Sequence, residues 1–357
     1  MNSCIHYFGA GPAALPNEVK QQAQQAIKQY QGSNVSILEL SHRSDEFREI
    51  LFNAQKLLKE LYAIPENYHI LFMQGGATSQ FDAVPLNLLG TATHATYINT
   101  GLWSRKAATL AKKYAEIKLV DGLEQNDGSV QCLPSSRWDV KDDTAYIHIT
   151  PNETVDGIEL PEIPQLNAPV VADMTSCMLM KDIDVSRYGV LYAGAQKTLG
   201  IAGLTIVIVR EDLLNRVNNV TPDLYRYDLH VNENSIVNTS PVFACYMTML
   251  MLEWVSAHGG VKKMVAEARE RSKMLYTSID RNNLLINNIA KESRSSINVV
   301  FDCSKASHLE YILSQAQQQG LIGLAGHRLV GGIRASMYNG TPMEAVTALN
   351  NIIQNVS

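Results

Sequence analysis

The sequence predicts an α/β fold: a large domain built on a mainly parallel seven-stranded sheet, followed by a small C-terminal α+β domain. Three observations carry this. Seven short apolar runs alternate with helical stretches or loops through the first two-thirds of the chain, and several are continuously apolar, as strands buried on both faces are. After Arg210 long helical patterns replace that alternation. The length, 357 residues, exceeds the size at which one hydrophobic core usually stops growing, so two domains are expected.

Asn17 to Gln31 is polar and rich in Gln and Ala, with Pro16 at a natural helix start. Glu46 to Tyr62 sets Phe47, Ile50, Leu51, Leu57, Leu58 and Leu61 on one helical face. The strand candidates are 69–73, 94–99, 116–120, 144–150, 168–173, 189–195 and 204–209. Pro241 to Ala257 then reads as a long helix rich in Met, Leu and Trp, and Val261 to Asp280 as a charged amphipathic one. Residues 296–302 form a strand, and His308 to Gln319 a helix that Gly320 ends. A further segment, 332–338, precedes a final helix from Pro342. The boundary falls near Gly259-Gly260, giving a large domain over 16–260 and a small one made of 1–15 with 261–357.

Composition excludes several classes. A hydrophobic fraction of 46% with 18% charged residues suits a compact globule, and a net charge of −5 opposes broad binding to nucleic acid or anionic membrane. The five cysteines (Cys4, Cys132, Cys177, Cys245, Cys303) are scattered and lack CxxC spacing, so neither a disulfide framework nor a zinc site is expected. The histidines show no metal spacing, and no metal is expected. With no leader-like N-terminus and no apolar run of roughly 20 residues, the expected location is cytoplasmic.

Four features make joint chemical sense. Lys197 follows a buried strand and precedes a Gly-containing turn, at the carboxyl-edge crevice where open α/β sheets bind ligands. Small neighbours, Gly194 and Ala195, leave room for a planar ring, and partial burial favours the neutral amine as a nucleophile. Asp173 closes another strand, where a buried carboxylate requires a partner such as a pyridinium nitrogen. Gly75-Gly76-Ala77-Thr78-Ser79 lies between a strand and an apparent helix and resembles a phosphate cup. Trp103 follows a strand end and can stack on a ring. Singly, each has a blander reading: a solvated lysine, an N-cap aspartate, a plain turn, a core tryptophan. Their conjunction is far more specific and points to pyridoxal 5'-phosphate.

A second constellation is basic: His42-Arg43, His327-Arg328 and the glycine-flanked Arg334. Arginine forks match carboxylate or phosphate, so a doubly anionic small substrate is expected. Gly9-Ala10-Gly11-Pro12-Ala13-Ala14 spells a dinucleotide fingerprint, but too few residues precede it for a βαβ unit, and proline sits where donors are needed. A cysteine desulfurase on the same scaffold would need a reactive cysteine on a mobile loop, but Cys177 and Cys245 lie in apolar surroundings and Cys303 follows a strand with no evident activating base. A non-catalytic scaffold that kept the fold would be signalled by loss of the lysine or the anion clamps, and all are present.

The chain resembles the phosphoserine aminotransferases, class V members of the fold-type I pyridoxal-phosphate enzymes. The resemblance spans essentially the whole chain and rests on Gly11-Pro12-Ala13, Ser41-His42-Arg43, Gly75-Gly76, Val84-Pro85-Leu86-Asn87, Pro151-Asn152-Glu153-Thr154, Asp184 to Gly189, Tyr192 to Lys197, and Gly326-His327-Arg328 with Arg334-Ala335-Ser336. It implies that Lys197 holds the cofactor covalently and moves the substrate Cα proton. Asp173 would pair with the ring nitrogen, Trp103 stack on the ring, and Thr154 bond the ring hydroxyl. Gly76, Ala77 and Gln196 would line the phosphate site, which Asn238 and Thr239 reach from the neighbouring subunit of a homodimer. Arg334 would clamp the substrate α-carboxylate, and His42, Arg43, His327 and Arg328 its phosphate or distal carboxylate. The implied reaction converts 3-phosphohydroxypyruvate and glutamate to O-phosphoserine and 2-oxoglutarate, with the phosphorylated hydroxythreonine precursor of pyridoxine as a second substrate in some members. Thr78 stands where some relatives carry arginine, and Ala10 where others carry serine.

Overall fold

The computed structural model describes residues 5–141, 143–161 and 166–357, so Cys4 lies outside the described residues. A short strand β1 (His6–Tyr7) leads to helices α1 (Asn17–Lys28) and α2 (Asp45–Tyr62). Then β2 (Tyr68–Gln74), α3 (Gly76–Leu88), β3 (His94–Asn99), α4 (Leu102–Ala111) and β4 (Glu116–Asp121) alternate. Next come β5 (Leu123–Asn126), β6 (Ser129–Cys132), β7 (Ile147–Ile149), β8 (Asn152–Glu153) and β9 (Ile158–Glu159). The large part closes with β10 (Val170–Asp173), β11 (Val190–Gly194), β12 (Leu204–Arg210), α5 (Tyr227–Asn232) and α6 (Val242–Ala257). Helix α7 (Gly260–Arg281) carries the chain to β13 (Leu285–Ile286), β14 (Asn298–Cys303), α8 (Ala306–Gln318), β15 (Leu321–Ile322), β16 (Ile333–Ser336) and α9 (Met343–Gln354).

The central sheet has the order β2-β12-β11-β10-β7-β3-β4. Only β12 runs antiparallel, against both β11 and β2. The other neighbours are parallel. Its alternate residues feed two different cores: Phe72, Ile98, Ile147, Leu191 and Ile206 face one side, and Leu71, Tyr97, Val171, Tyr192 and Val207 the other. That double burial is why these strands read as continuous apolar runs.

Helix α2 begins where Ser44 Oγ accepts from Phe47 N at 3.2 Å, with Asp45 and Glu46 in its first turn and Lys59 in its last, complementing the helix dipole at both ends. Phe47, Ile50, Leu51 and Leu58 are buried as expected, while Leu57 and Leu61 are half-buried at the edge of that face. Helix α6 is buried nearly all round, because α2 covers one side and α7 another.

In the C-terminal part, β13-β14-β16 form an antiparallel sheet packed with α7, α8 and α9. The N-terminus joins it: β1 pairs parallel with β15, and Phe8 lies in the same core. Helix α7 belongs to both parts, with Val261, Met264 and Ala268 in the large core and Leu275 and Ile279 in the small one. Two hairpins, β5-β6 and β8-β9, were not expected, and the strand expected over 144–150 is confined to Ile147–Ile149. No helix among the described residues is long and apolar enough to cross a membrane.

Candidate active site

A cavity of about 430 Å³ opens beyond the carboxyl ends of β2, β10 and β11, within the size range of small-molecule sites of about 300–1,000 Å³. Parallel strands deliver their C-terminal residues to this edge, so Asp173 and the segment after Gly194 arrive side by side. Lys197 is only 8% exposed. Its Nζ donates to Thr154 Oγ1 at 2.6 Å and lies 5.9 Å from the centre of the Trp103 ring. Burial pulls the ammonium down to about 8, opposed by the Asp173 carboxylate and reinforced by the Arg334 charge. The amine is therefore roughly a tenth to a fifth neutral near physiological pH, far more than a free lysine would be.

The other end of the cavity is the start of α3. Gly75 takes a φ of 98° and Gly76 one of 66°, conformations that favour glycine, and no atom lies within 4 Å of a Cβ placed on Gly76. No side chain caps this helix, so its first N–H groups remain available to an anion. Ala77 N lies 3.2 Å from the Cβ position of Gly194, and Gln196 also lines the cavity. Thr78 lines it too, whereas Ser79 turns back to bond Gly76 O at 2.8 Å. The expectation of a Ser79 hydroxyl in the cup is corrected accordingly.

Asp173 Oδ1 accepts from Thr175 N at 3.0 Å. Burial raises its carboxyl above the ordinary range, with the Thr175 bonds and the Lys197 charge opposing. Behind it Tyr192, whose hydroxyl favours the Asp173 anion, bonds His148 Nε2 at 2.7 Å. Burial drives His148 down to about 3, so the imidazole is neutral. Trp103 is held by an acidic pair. Glu153 accepts from Trp103 N at 2.9 Å and from Ser104 N at 2.8 Å, and Asp156 accepts from Leu102 N at 2.9 Å. Burial lifts the Glu153 carboxyl to about 7 against those N–H bonds, with Asp156 adding to the rise. Asn152 ties the site to the small part through Asn298 at 2.8 Å.

Thus Gly76, Ala77, Trp103, Thr154, Asp173, Gln196 and Lys197 meet around one cavity. Arg334 stands near enough to lower the Lys197 proton affinity, and its Nε is buried with no hydrogen-bond partner. Asn238 and Thr239 lie beside Gln74, whose amide bonds Asn238 Oδ1 at 2.8 Å and Thr239 O at 3.0 Å. His42, Arg43, His327 and Arg328 do not line the cavity of their own chain. His42 and Arg43 occupy the turn before α2, and His327 and Arg328 a loop before β16. Glu153, Tyr192 and His148 escaped the sequence reading. The carboxylates Glu153 and Asp156 flanking Thr154 were a visible signal, whereas the Tyr192–His148 bond joins residues 44 apart and left none. The four cysteines among the described residues are free, and burial raises every thiol, Cys132 and Cys303 to about 11 and Cys245 to about 12. Cys177 is raised further still.

The model of the family described as aminotransferase class-V matches residues 5–349. The phosphoserine aminotransferase of Acinetobacter baylyi is 43% identical over 346 residues, 97% of this chain and 96% of that protein. Among solved structures, the pyridoxal-phosphate-bound phosphoserine aminotransferase of Trichomonas vaginalis superposes with a TM-score of 0.93 at 34% identity, covering 99% of this chain and 100% of its own. That of Bacillus circulans subsp. alkalophilus gives 0.92 at 35% identity, covering 98% and 97%.

Proposed function

The chain belongs to the class-V aminotransferase family, and on that premise we propose that it transfers the amino group of glutamate to 3-phosphohydroxypyruvate, giving O-phospho-L-serine and 2-oxoglutarate in L-serine biosynthesis. The observation that carries this is the conjunction of a buried lysine, a carboxylate and a glycine-built anion cup around one cavity.

The residues fit pyridoxal 5'-phosphate. Gly76 leaves open space at the start of α3, and Lys197 and Trp103 border the same cavity as Asp173. Gly76, Ala77 and Gln196 would hold the phosphate, Trp103 the ring face, Asp173 the ring nitrogen and Thr154 the ring hydroxyl. When bound, the cofactor supplies an electron sink and the carbon that receives the amino group. Asp173, whose anionic form the Thr175 and Tyr192 hydrogen bonds favour against burial, would pair with the protonated ring nitrogen. Lys197, poised near 8, takes the proton from the substrate Cα and returns it. Arg334 binds the α-carboxylate and orients the Cα–H bond, and Trp103 shields one face from water.

We place His42, Arg43, His327 and Arg328 around the substrate phosphate of a shared site, with Asn238 and Thr239 bonding the cofactor phosphate of the partner subunit. Support comes from their absence from their own chain's cavity and from the exposed Phe52, Leu329 and Val330, at 64%, 69% and 54%. The raised thiols leave no activated cysteine among the described residues, which disfavours a desulfurase.

The test is an absorbance spectrum of the purified protein before and after O-phosphoserine, with serine as control. A visible cofactor band that collapses only with the phosphorylated amino acid is expected. A band unmoved by phosphoserine would overturn the substrate, and no band after incubation with pyridoxal phosphate would overturn the cofactor.

A further inference from the structure

The polar chain that reaches the cavity through Asp173 continues into the sheet. Strand register sets Asp173 beside Tyr192 and Val171 beside His148, so β7, β10 and β11 turn His148, Asp173 and Tyr192 to one face. The Tyr192 hydroxyl meets both of the others: it hydrogen-bonds the Asp173 carboxyl and lies 2.7 Å from His148 Nε2. A hydroxyl has one proton, so it donates to only one of them, and the position of the imidazole proton decides which.

His148 is 1% exposed and Tyr192 is fully buried. The imidazole stacks on Tyr97 with centroids 4.6 Å apart and planes 13° from parallel, and Tyr97 is tied to Tyr146 by a hydroxyl bond of 2.9 Å. Its other nitrogen, Nδ1, is buried with no hydrogen-bond partner among the described residues. Burial pulls the imidazole down to about 3, so at neutral pH the ring carries one proton. Two placements of that proton are possible. On Nδ1 it would be a buried N–H with nothing to accept it, and Nε2 would draw the Tyr192 proton away from a buried carboxylate. On Nε2 it is donated to the Tyr192 oxygen, which frees the Tyr192 proton for Asp173 and leaves only a lone pair without a partner. The second placement bonds every proton of the chain and gives the carboxylate a charge-assisted donor.

We propose that His148 is a positioning residue for the cofactor: held as the Nε2–H tautomer, it directs the Tyr192 hydroxyl onto Asp173 and so orients that carboxylate toward the ring nitrogen. The role toward the ring rests on the cofactor reading given above, whereas the order of the hydrogen bonds is a property of the protein alone.

That order is read by nitrogen NMR of the purified, histidine-labelled protein. The His148 resonances are those missing in His148→Gln, and they stay still where exposed histidines titrate, at about pH 6.5. A protonated Nε2 beside an unprotonated Nδ1 is expected, and the reverse overturns the proposal. Binding of pyridoxal phosphate is then followed by fluorescence in wild type, His148→Gln, His148→Leu, Tyr192→Phe and the double variant His148→Leu/Tyr192→Phe. The glutamine amide can donate from the place of Nε2, so His148→Gln should bind within about twofold of wild type, while His148→Leu and Tyr192→Phe should each bind about tenfold more weakly. The double variant should bind no more weakly than Tyr192→Phe, since both changes break the same donor. Unchanged affinity in His148→Leu, equal losses in the glutamine and leucine variants, or losses that multiply in the double variant would each overturn the proposal, with wild type still binding. Wild-type protein that takes up no pyridoxal phosphate overturns the cofactor reading, and with it the role given to His148, whichever tautomer is found.

Discussion

Lys197 is held in a state that serves chemistry against stability. Its ammonium titrates near 8 in the fold and near 10.5 when free. Below pH 8 both folded and unfolded chains carry the proton, so the folded protein bears the whole burial penalty, on the order of 3 kcal/mol. The penalty fades as pH rises from 8 to 10.5, because there the folded lysine is already neutral. Lys197→Met should therefore raise the melting temperature of the cofactor-free protein at pH 7, with the advantage shrinking toward pH 10. It should also lower transamination by a factor on the order of 10³ or more. Thermal unfolding of the two apo-proteins across that range checks the first part, and a variant that melts lower at pH 7 would refute it. The lysine was legible in the sequence because a strand, two small residues and a glycine turn bracket it. Glu153 was legible only as a carboxylate beside Thr154, since nothing local to it says that it reaches residues 49 and 50 positions earlier.

Helix α4 shows how an element can be positioned by a group outside it. Gly101, at its N-cap, has no side chain, and a Cβ there would lie 2.5 Å from Asp156 and 2.7 Å from Glu153. The two carboxylates take over the capping of the first turn and so fix Trp103 against the cavity. In Glu153→Gln an amide NH₂ would face a backbone N–H, and one bond must break. We expect at least about a tenfold loss of cofactor affinity, equivalent to about 1.4 kcal/mol. The pH dependence has a definite sign. Glu153 titrates near 7, with Asp156 and Lys197 the charged groups that bear on it, and only its ionised form accepts both N–H bonds fully. Wild-type affinity should thus weaken as pH falls below 7, while the Gln variant responds less; equal slopes in a fluorescence titration of cofactor binding would count against this. The central strands were readable as continuous apolar runs and the long amphipathic helices from apolar periodicity. The hairpins β5-β6 and β8-β9 were not, because runs such as Asn152–Glu153 and Ile158–Glu159 are too short to carry a period.

At the scale of the molecule, the cavity assembles from one chain the residues proposed to hold the cofactor but leaves His42, Arg43, His327 and Arg328 elsewhere on it. A shared site predicts complementation. Equal amounts of Lys197→Ala and Arg43→Ala, unfolded and refolded together, should recover about a quarter of wild-type activity, because half the dimers are hybrids and one site in each is intact. Activity no higher than the mean of the two parents would place Arg43 with its own Lys197. The layered α/β architecture was legible because double burial makes strands apolar end to end. The joining of β1 and Phe8 to the C-terminal part was not, since it rests on one parallel strand pair, His6 with Leu321 and Tyr7 with Ile322, over three hundred residues apart. Helix α7 has a mechanical consequence. At 22 residues it is about 33 Å long, and it is rooted in both cores. It can act as a lever: pivoting by roughly 5° at its N-terminal root swings its far end by about 3 Å. Because β16 packs in that far core, such a swing would move Arg334 relative to Lys197, turning stiffness at one end of a rod into reach at the other.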